Sequence, residues 1–109
     1  MCSSDLIAIS SWLGSIGAKT VPGHYGYTGS KALMNMMIKG MSLEFEKAEN
    51  SSRIAVTMNP GWMKTDMGGQ NADITSDEVA GRILTMIDDG FIKECNGKFL
   101  NTDRTEHEW

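Results

Sequence analysis

The chain has 109 residues, enough for one small domain and too few for two. Hydrophobic residues make up 40% of it and charged residues 22%, which are ordinary proportions for a globular protein. The formal net charge of -4 argues against nucleic-acid binding, because a phosphate-binding surface needs clustered lysine and arginine. No stretch approaches the roughly 18 apolar residues of a membrane span, and the first five residues lack the features of a signal peptide. We therefore expect a cytoplasmic protein.

The two cysteines, Cys2 and Cys95, are too few and too far apart for a disulfide framework or a zinc site. We expect two reduced thiols and no bound metal.

Apolar strands alternate with helical patterns along the chain. Leu6 to Ile9 is a short apolar run that predicts a buried parallel strand, and the glycines and proline of residues 12–24 predict a loop. From about Tyr25 to Lys47 no proline intervenes, which favours a helix. Four apolar residues recur there at helical spacing and form one stripe: Leu33, Met37, Met41 and Phe45. Ile54 to Met58 predicts a second buried strand.

The last third of the chain predicts one more helix and one more strand. Residues 60–73 are expected to be irregular. Thr75 and Glu78 have the spacing of a capping box, which predicts a helix start, and Gly90 is a typical stop. Residues 98–100 predict a brief last strand. Strands that alternate with amphipathic helices indicate an α/β fold with a parallel sheet.

Tyr27 and Lys31 stand four residues apart at the start of the long predicted helix, so they are neighbours on one helical face. A nearby ammonium group favours the phenolate form of a tyrosine. Such a tyrosine can exchange a proton with an alcohol or carbonyl oxygen while a cofactor transfers hydride. Tyr25 has Gly29 at the corresponding position, so no lysine is expected to accompany it.

Four stretches of the sequence, residues 9–17, 25–36, 59–69 and 96–100, together resemble the short-chain dehydrogenase/reductase family. The likeness is to the carbonyl-reductase-like branch that includes the sniffer proteins and the bacterial C-factor. It covers nearly the whole chain and corresponds to the C-terminal half of the family's Rossmann-type, doubly wound parallel sheet. The resemblance implies about three strands and two main helices here.

The resemblance also implies roles for individual residues. Ser11 would hold the substrate oxygen, Tyr27 would be the general acid or base, and Lys31 would promote proton transfer and bind the nicotinamide ribose. The nicotinamide of NADP or NAD would be lined, beside Tyr27 and Lys31, by Pro60, Gly61, Met63 and Thr65. The substrate would be a small carbonyl compound or alcohol, bordered by Trp12, Trp62 and Met67.

Simpler interpretations exist for several of these residues. Ser10 and Ser11 have an alternative role in ending the strand and turning the chain. The methionines of the long helix are more typical of core or interface packing than of a ligand site. Trp109 is expected to fold back against the body of the protein.

Features of the family's first half are missing from this sequence. No glycine-rich phosphate turn lies between an early strand and its helix, and no asparagine completes the family's proton relay. We therefore interpret residues 1–109 as a partial domain, the catalytic and substrate-side half, and expect the chain alone to bind no nucleotide and to be inactive. The Leu6–Ile9 strand would become an unpaired edge. Arg104 stands where the family usually has glycine, so the C-terminal loop is expected to be altered.

Three hypotheses follow from these patterns. The chain is part of an NAD(P)-dependent carbonyl reductase or alcohol dehydrogenase, or a non-catalytic relic, or an interaction module. The module would pair through the 25–47 helix and the open strand edge with another subunit of the family, or with itself. Genomic sequence upstream of Met1 that encodes a strand, a glycine-rich turn and a helix would favour the first hypothesis.

Overall fold

A computed structural model describes residues 5–48, 52–61 and 74–109, together with the backbone of residues 63–64. Its regular elements, in chain order, are β1 (Leu6–Ile9), α1 (Tyr25–Lys47), β2 (Ala55–Asn59), β3 (Met63–Lys64), β4 (Ile74–Thr75), α2 (Ser76–Asp88) and β5 (Phe99–Asn101). Two short 3₁₀ helices lie at Trp12–Gly14 and Phe91–Glu94. The α/β class predicted from the sequence is confirmed.

Three of the strands form one parallel sheet in the order β1-β2-β5. Ile7 pairs with Val56, and Met58 pairs with Leu100. All five residues of β2 are buried, because this strand has a neighbour on each side. β1 lies at the edge of the sheet within the described part of the chain, and its last residue, Ile9, is 45% exposed.

The segment predicted to be irregular contains a short strand. Met63–Lys64 pairs in parallel with Ile74–Thr75 as a separate two-stranded sheet. The prediction was therefore wrong for these two residues, since two-residue strands carry too little alternation to be seen in a sequence. Residues 65–73 lie outside the described part of the chain.

The main hydrophobic core lies between the sheet, α2 and the second 3₁₀ helix. Its buried members are Ile54, Val56, Met58, Met86, Ile92, Cys95 and Leu100. Burial in this core raises the pKa of the Cys95 thiol, because the thiolate loses its hydration there. A neutral, buried thiol packs as a small apolar side chain.

Both ends of α2 follow the predicted signals. The Thr75 hydroxyl accepts a hydrogen bond from the Glu78 backbone N–H at 3.2 Å and lies 3.1 Å from the Glu78 carboxylate. The helix ends at Asp88, and Gly90 follows in the left-handed region with φ of 82°. The predicted helix start at Thr75 and the glycine stop are confirmed, whereas the Glu78 carboxylate bonds the Thr75 hydroxyl and not the backbone N–H that a full capping box uses.

The buried face of α1 differs from the predicted apolar stripe. Leu33 and Met37 are 62% and 59% exposed, and neighbouring Met36 is exposed as well. The buried positions of this helix are instead Thr28, Asn35, Ile38 and Ser42. Three of these four are small or polar, because the helix approaches its neighbours closely. Met41 and Phe45, the other half of the predicted stripe, are half-buried. Helical spacing alone does not tell these two faces apart.

The turn after β5 contains an arginine in the left-handed region of backbone conformation. Arg104 adopts φ of 75°, in the region that favours glycine, and its N–H donates to the Asn101 carbonyl at 3.1 Å. Its guanidinium pairs with Asp89 and stacks on Phe91, 5.0 Å from the ring centroid. The hydrogen bond from Arg104 lowers the pKa of Asp89. The expected alteration of this loop relative to the family stays a prediction.

The C-terminal tail packs back on the body, as predicted. The Trp109 ring lies 5.3 Å from the ring of Phe99, and the Trp109 carbonyl accepts a hydrogen bond from the Ile16 N–H at 2.7 Å. Within the described ranges, neither helix combines the length and apolarity needed to cross a membrane.

We expect Met86→Ala to lower the free energy of unfolding by about 2–5 kcal/mol, because it removes a fully buried side chain and leaves a cavity. Met36→Ala makes the same chemical change on an exposed helical position and should shift it by no more than about 0.5 kcal/mol. Urea unfolding followed by circular dichroism measures both. Equal losses in the two variants would contradict the observed core.

Candidate active site

The predicted site residues gather at the carboxyl edge of the parallel sheet. β1 ends at Ile9 and leads into Ser11, whereas β2 ends at Asn59 and leads into Pro60. Parallel strands bring these two ends to the same edge, which is where open α/β sheets bind ligands. α1 starts at Tyr25 and reaches the same region, because the Lys31 ammonium donates to the Ile9 carbonyl at 3.4 Å.

Ser11 is buried and begins the short 3₁₀ helix. Its backbone is extended, and its hydroxyl oxygen accepts a hydrogen bond from the Leu13 N–H at 3.1 Å. The turn-forming role considered from the sequence is thus present in the structure. The hydroxyl proton is left for another acceptor, so this role is compatible with binding a substrate oxygen. Ser10 is also buried, and its hydroxyl has no hydrogen-bond partner among the described residues.

Tyr27 and Lys31 lie on one face of α1, as their spacing predicts. The Lys31 ammonium is 5.8 Å from the centroid of the Tyr27 ring. Tyr27 is 39% exposed, so its phenol can be reached from outside. The expectation that no lysine accompanies Tyr25 was wrong, because Lys19 from the preceding loop lies 5.9 Å from that ring. Lys19 stands six residues before Tyr25 and outside the helix, so i,i+4 spacing does not reveal this pair.

The structure describes only part of the predicted nicotinamide-binding set. Pro60 is buried. Gly61 follows it, is exposed to solvent, and adopts a left-handed backbone conformation with φ of 85°. The backbone of Met63 lies in β3. Thr65 lies outside the described residues, as do Trp62 and Met67 from the predicted substrate border. The remaining border residue, Trp12, is 44% exposed next to Ser11.

Asn35 continues the face of α1 that carries Tyr27 and Lys31, one turn deeper, and the sequence analysis missed it. It is 3% exposed, and its amide nitrogen donates to the Gly14 carbonyl at 3.3 Å. A β-carbon on Gly14 would lie 2.8 Å from Lys31 Cβ, so glycine lets the loop reach the helix. Positions 27, 31 and 35 are spaced by four residues, and this spacing could have identified Asn35 from the sequence.

The C-terminal tail supports the loop from the other end. The Ser15 hydroxyl donates to the Glu108 carbonyl at 2.5 Å and accepts from the Ala18 N–H at 3.1 Å. The tail thereby holds the segment that follows Ser11. Metal chemistry gains no support from the described part of the chain, which holds no group of three His, Cys, Asp or Glu residues able to bind an ion.

Comparison with known proteins identifies similar sequences. No family model matches the chain. It is 35% identical over 101 residues to the C-signal protein of Myxococcus xanthus, covering 93% of this chain and 58% of that protein. It is 30% identical over 118 residues to the short-chain dehydrogenase srdF of Neurospora crassa, covering 94% and 43% respectively. The chain thus spans about half the length of the curated relatives it matches.

Solved structures agree with these relatives. The carbonyl reductase Sniffer of D. melanogaster superimposes with a TM-score of 0.84 at 34% identity, over 97% of this chain and 41% of that one. An NADPH-bound carbonyl reductase from chicken fatty liver gives a TM-score of 0.81 at 33% identity, over 97% and 43%. The chain is similar to proteins of the short-chain dehydrogenase/reductase family over nearly its whole length. It corresponds to a C-terminal part of that family's Rossmann-like fold.

We expect Gly14→Ala to lower the free energy of unfolding by about 1–3 kcal/mol, because the new methyl group would overlap Lys31 and Asn35. Gly29→Ala is the matched control, since a β-carbon there meets nothing within 4 Å. That variant should raise the free energy of unfolding by about 0.5–1 kcal/mol, the usual gain for alanine over glycine in a helix. Chemical denaturation measures both changes, and a neutral Gly14→Ala would show that the loop and α1 are not closely packed.

Proposed function

We propose that residues 1–109 form the catalytic and substrate-side part of an NAD(P)-dependent oxidoreductase that interconverts a carbonyl compound and an alcohol. The observation that carries this proposal is the Tyr27–Lys31 pair on α1, beside the loop that contains Ser11. The similarity of the chain to this family and to two carbonyl reductases supports the reaction class.

In this proposal three side chains of the chain handle the substrate oxygen and its proton. Ser11 donates its hydroxyl hydrogen to the carbonyl oxygen and orients it. Tyr27 transfers its phenolic proton to that oxygen as the alcohol forms, and takes it back in the reverse direction. The Lys31 ammonium stabilises the phenolate that remains. The nicotinamide cofactor, when bound, supplies or accepts the hydride at the carbonyl carbon.

Several contacts leave room for that cofactor. The Lys31 ammonium has one long hydrogen bond, to the Ile9 carbonyl, so donors remain for a ribose hydroxyl. Gly61 is exposed, and the left-handed conformation that it adopts keeps side-chain atoms away from the backbone. Pro60, Gly61, Met63 and Thr65 would line the nicotinamide, as the resemblance implies. NADPH is the cofactor of the similar chicken enzyme, and the choice between NADP and NAD remains part of the proposal.

We expect Tyr27→Phe to reduce turnover by at least about 10²–10⁴-fold when the chain is fused to the N-terminal half of the similar Drosophila carbonyl reductase. The substitution keeps the ring and removes the phenolic proton that the proposed reaction transfers, so cofactor affinity should stay nearly unchanged. Steady-state reduction of a small carbonyl compound and nucleotide titration measure the two quantities.

Tyr25→Phe is the matched control, because Tyr25 is a 72% exposed tyrosine two residues away. It should be close to neutral. Loss of activity in Tyr25→Phe but not in Tyr27→Phe would reject this assignment. Lys31→Ala should lower both turnover and cofactor affinity, and Ser11→Ala should lower turnover alone.

The exposed apolar face of α1 favours a second role, as a surface for association. Leu33, Met36 and Met37 are each more than half exposed on this helix. Within the described part of the chain β1 is an edge strand, and such a strand offers backbone groups for pairing with a further strand. We propose that this surface pairs with a second copy of the chain or with another member of the family.

We expect the isolated chain to self-associate, and Met36→Lys with Met37→Lys to shift it toward monomer, because a charged side chain is costly to bury. Leu84→Lys with Ile87→Lys is the matched control, since it adds the same two charges at exposed apolar positions of α2. Sedimentation velocity across a range of concentrations distinguishes them. A wild-type chain that stays a compact monomer at high concentration would contradict this second role.

A further inference from the structure

One buried side chain joins the two loops of the candidate site. Asn59 is the last residue of β2 and is 9% exposed. Its side-chain oxygen accepts hydrogen bonds from the Trp12 N–H at 3.1 Å and from the Gly61 N–H at 3.3 Å. Its amide nitrogen donates to the side-chain oxygen of Asn101 at 3.0 Å. One amide group therefore connects the ends of β1, β2 and β5.

The two backbone N–H groups belong to the segments that carry the predicted chemistry. Trp12 follows Ser11 directly and opens the 3₁₀ helix, where the first N–H groups lack partners within the helix. Gly61 follows Pro60 at the start of the predicted nicotinamide-binding segment. A side-chain carbonyl oxygen has two acceptor positions, so a single asparagine satisfies both groups.

A second asparagine sets the orientation of the first. The Asn101 amide nitrogen donates to the Thr105 hydroxyl at 3.0 Å, which leaves its side-chain oxygen directed at Asn59. The Asn101 backbone N–H also donates to the Thr105 carbonyl at 2.8 Å, so the turn after β5 holds Asn101 in place. Because Asn101 presents an acceptor, Asn59 must present its nitrogen there and its oxygen to the two loops.

We propose that Asn59 is a positioning residue that sets the Ser11 loop against the Pro60–Gly61 turn. Its amide thereby fixes the separation of the substrate-side hydroxyl and the cofactor-side backbone. The link between the loops stands on the observed hydrogen bonds, and its value for catalysis rests on the oxidoreductase function proposed above. Alanine at this position leaves both N–H groups without their acceptor, whereas aspartate keeps an acceptor oxygen of the same reach.

Amide hydrogen exchange of the 109-residue chain, followed by nuclear magnetic resonance, tests the link directly. We expect Asn59→Ala to speed exchange of the Trp12 and Gly61 amides by about tenfold. Asn59→Asp loses the donor to Asn101, so one of its oxygens meets the Asn101 oxygen. Its charged carboxylate accepts the two N–H bonds more strongly than an amide does, which offsets that repulsion, and both rates should stay within about threefold of wild type. The Asp89 amide, which is bonded to the Thr85 carbonyl in α2, is the internal reference and should not change.

Each outcome decides the question. Faster exchange at Trp12 and Gly61 alone, reversed by aspartate, supports the proposal. Equal acceleration of the Asp89 amide would mean general destabilisation, and unchanged rates would mean that the bonds are not formed in solution; either result overturns the proposal. If Asn59→Ala fails to fold, a loss of protection at Trp12 and Gly61 in folded Asn59→Asp overturns it as well.

Catalysis in the fused protein gives a second, separable test. Asn59→Ala should lower turnover by about tenfold or more and leave its pH dependence unchanged, because the variant misplaces the reacting groups without replacing them. Asn59→Asp should recover most of that loss. Unchanged turnover in Asn59→Ala would overturn the positioning role. An inactive wild-type fusion would reject the oxidoreductase function instead, and hydrogen exchange would still decide the link between the loops.

Discussion

Close packing of α1 against the loop and the sheet is the constraint on which the rest of the structure depends. A β-carbon on Gly14 would approach Lys31 Cβ to 2.8 Å, and one on Gly97 would approach the Ser42 hydroxyl to the same distance. Glycine at these two points lets the helix axis come near enough for Lys31 to reach the end of β1. The position of the Tyr27–Lys31 pair thus depends on glycine at positions 14 and 97, where a side chain would push α1 away.

The same packing decides which surface of α1 faces outward. A helix that lies this close to its neighbours must present small or polar residues to them, as it does with Thr28 and Ser42. Several of its large apolar residues therefore lie on the opposite surface, where Met36 is 69% exposed. An exposed apolar face of this kind is typical of a surface that contacts another chain or domain. The proposed catalytic pair and the proposed association surface accordingly depend on one arrangement of α1.

Local signals in the sequence predicted the helices and main strands well, but they predicted poorly which face of α1 is buried. The helix over Tyr25–Lys47 matched because propensity and the absence of proline act locally, and Thr75 and Glu78 are near enough in sequence to act as a unit. The buried face of α1 could not be predicted in this way, because it depends on glycines that meet the helix only in the folded protein. The same holds for Asn59, whose partners lie 47 and 42 positions away. The sequence stretch 59–69 includes Asn59, but it does not show which residues Asn59 contacts.

Arg104 shows how a turn at this edge tolerates a residue that its backbone disfavours. A left-handed conformation costs an ordinary residue about 1–2 kcal/mol relative to the right-handed one. The arginine side chain offsets part of this cost through the ion pair with Asp89 and the contact with Phe91, although exposed pairs of this kind contribute little individually. The turn in question carries Thr105, which orients Asn101 and, through it, Asn59. The turn that contains Arg104 therefore supports a series of hydrogen bonds that runs through Asn101 and Asn59 to the loop of Ser11.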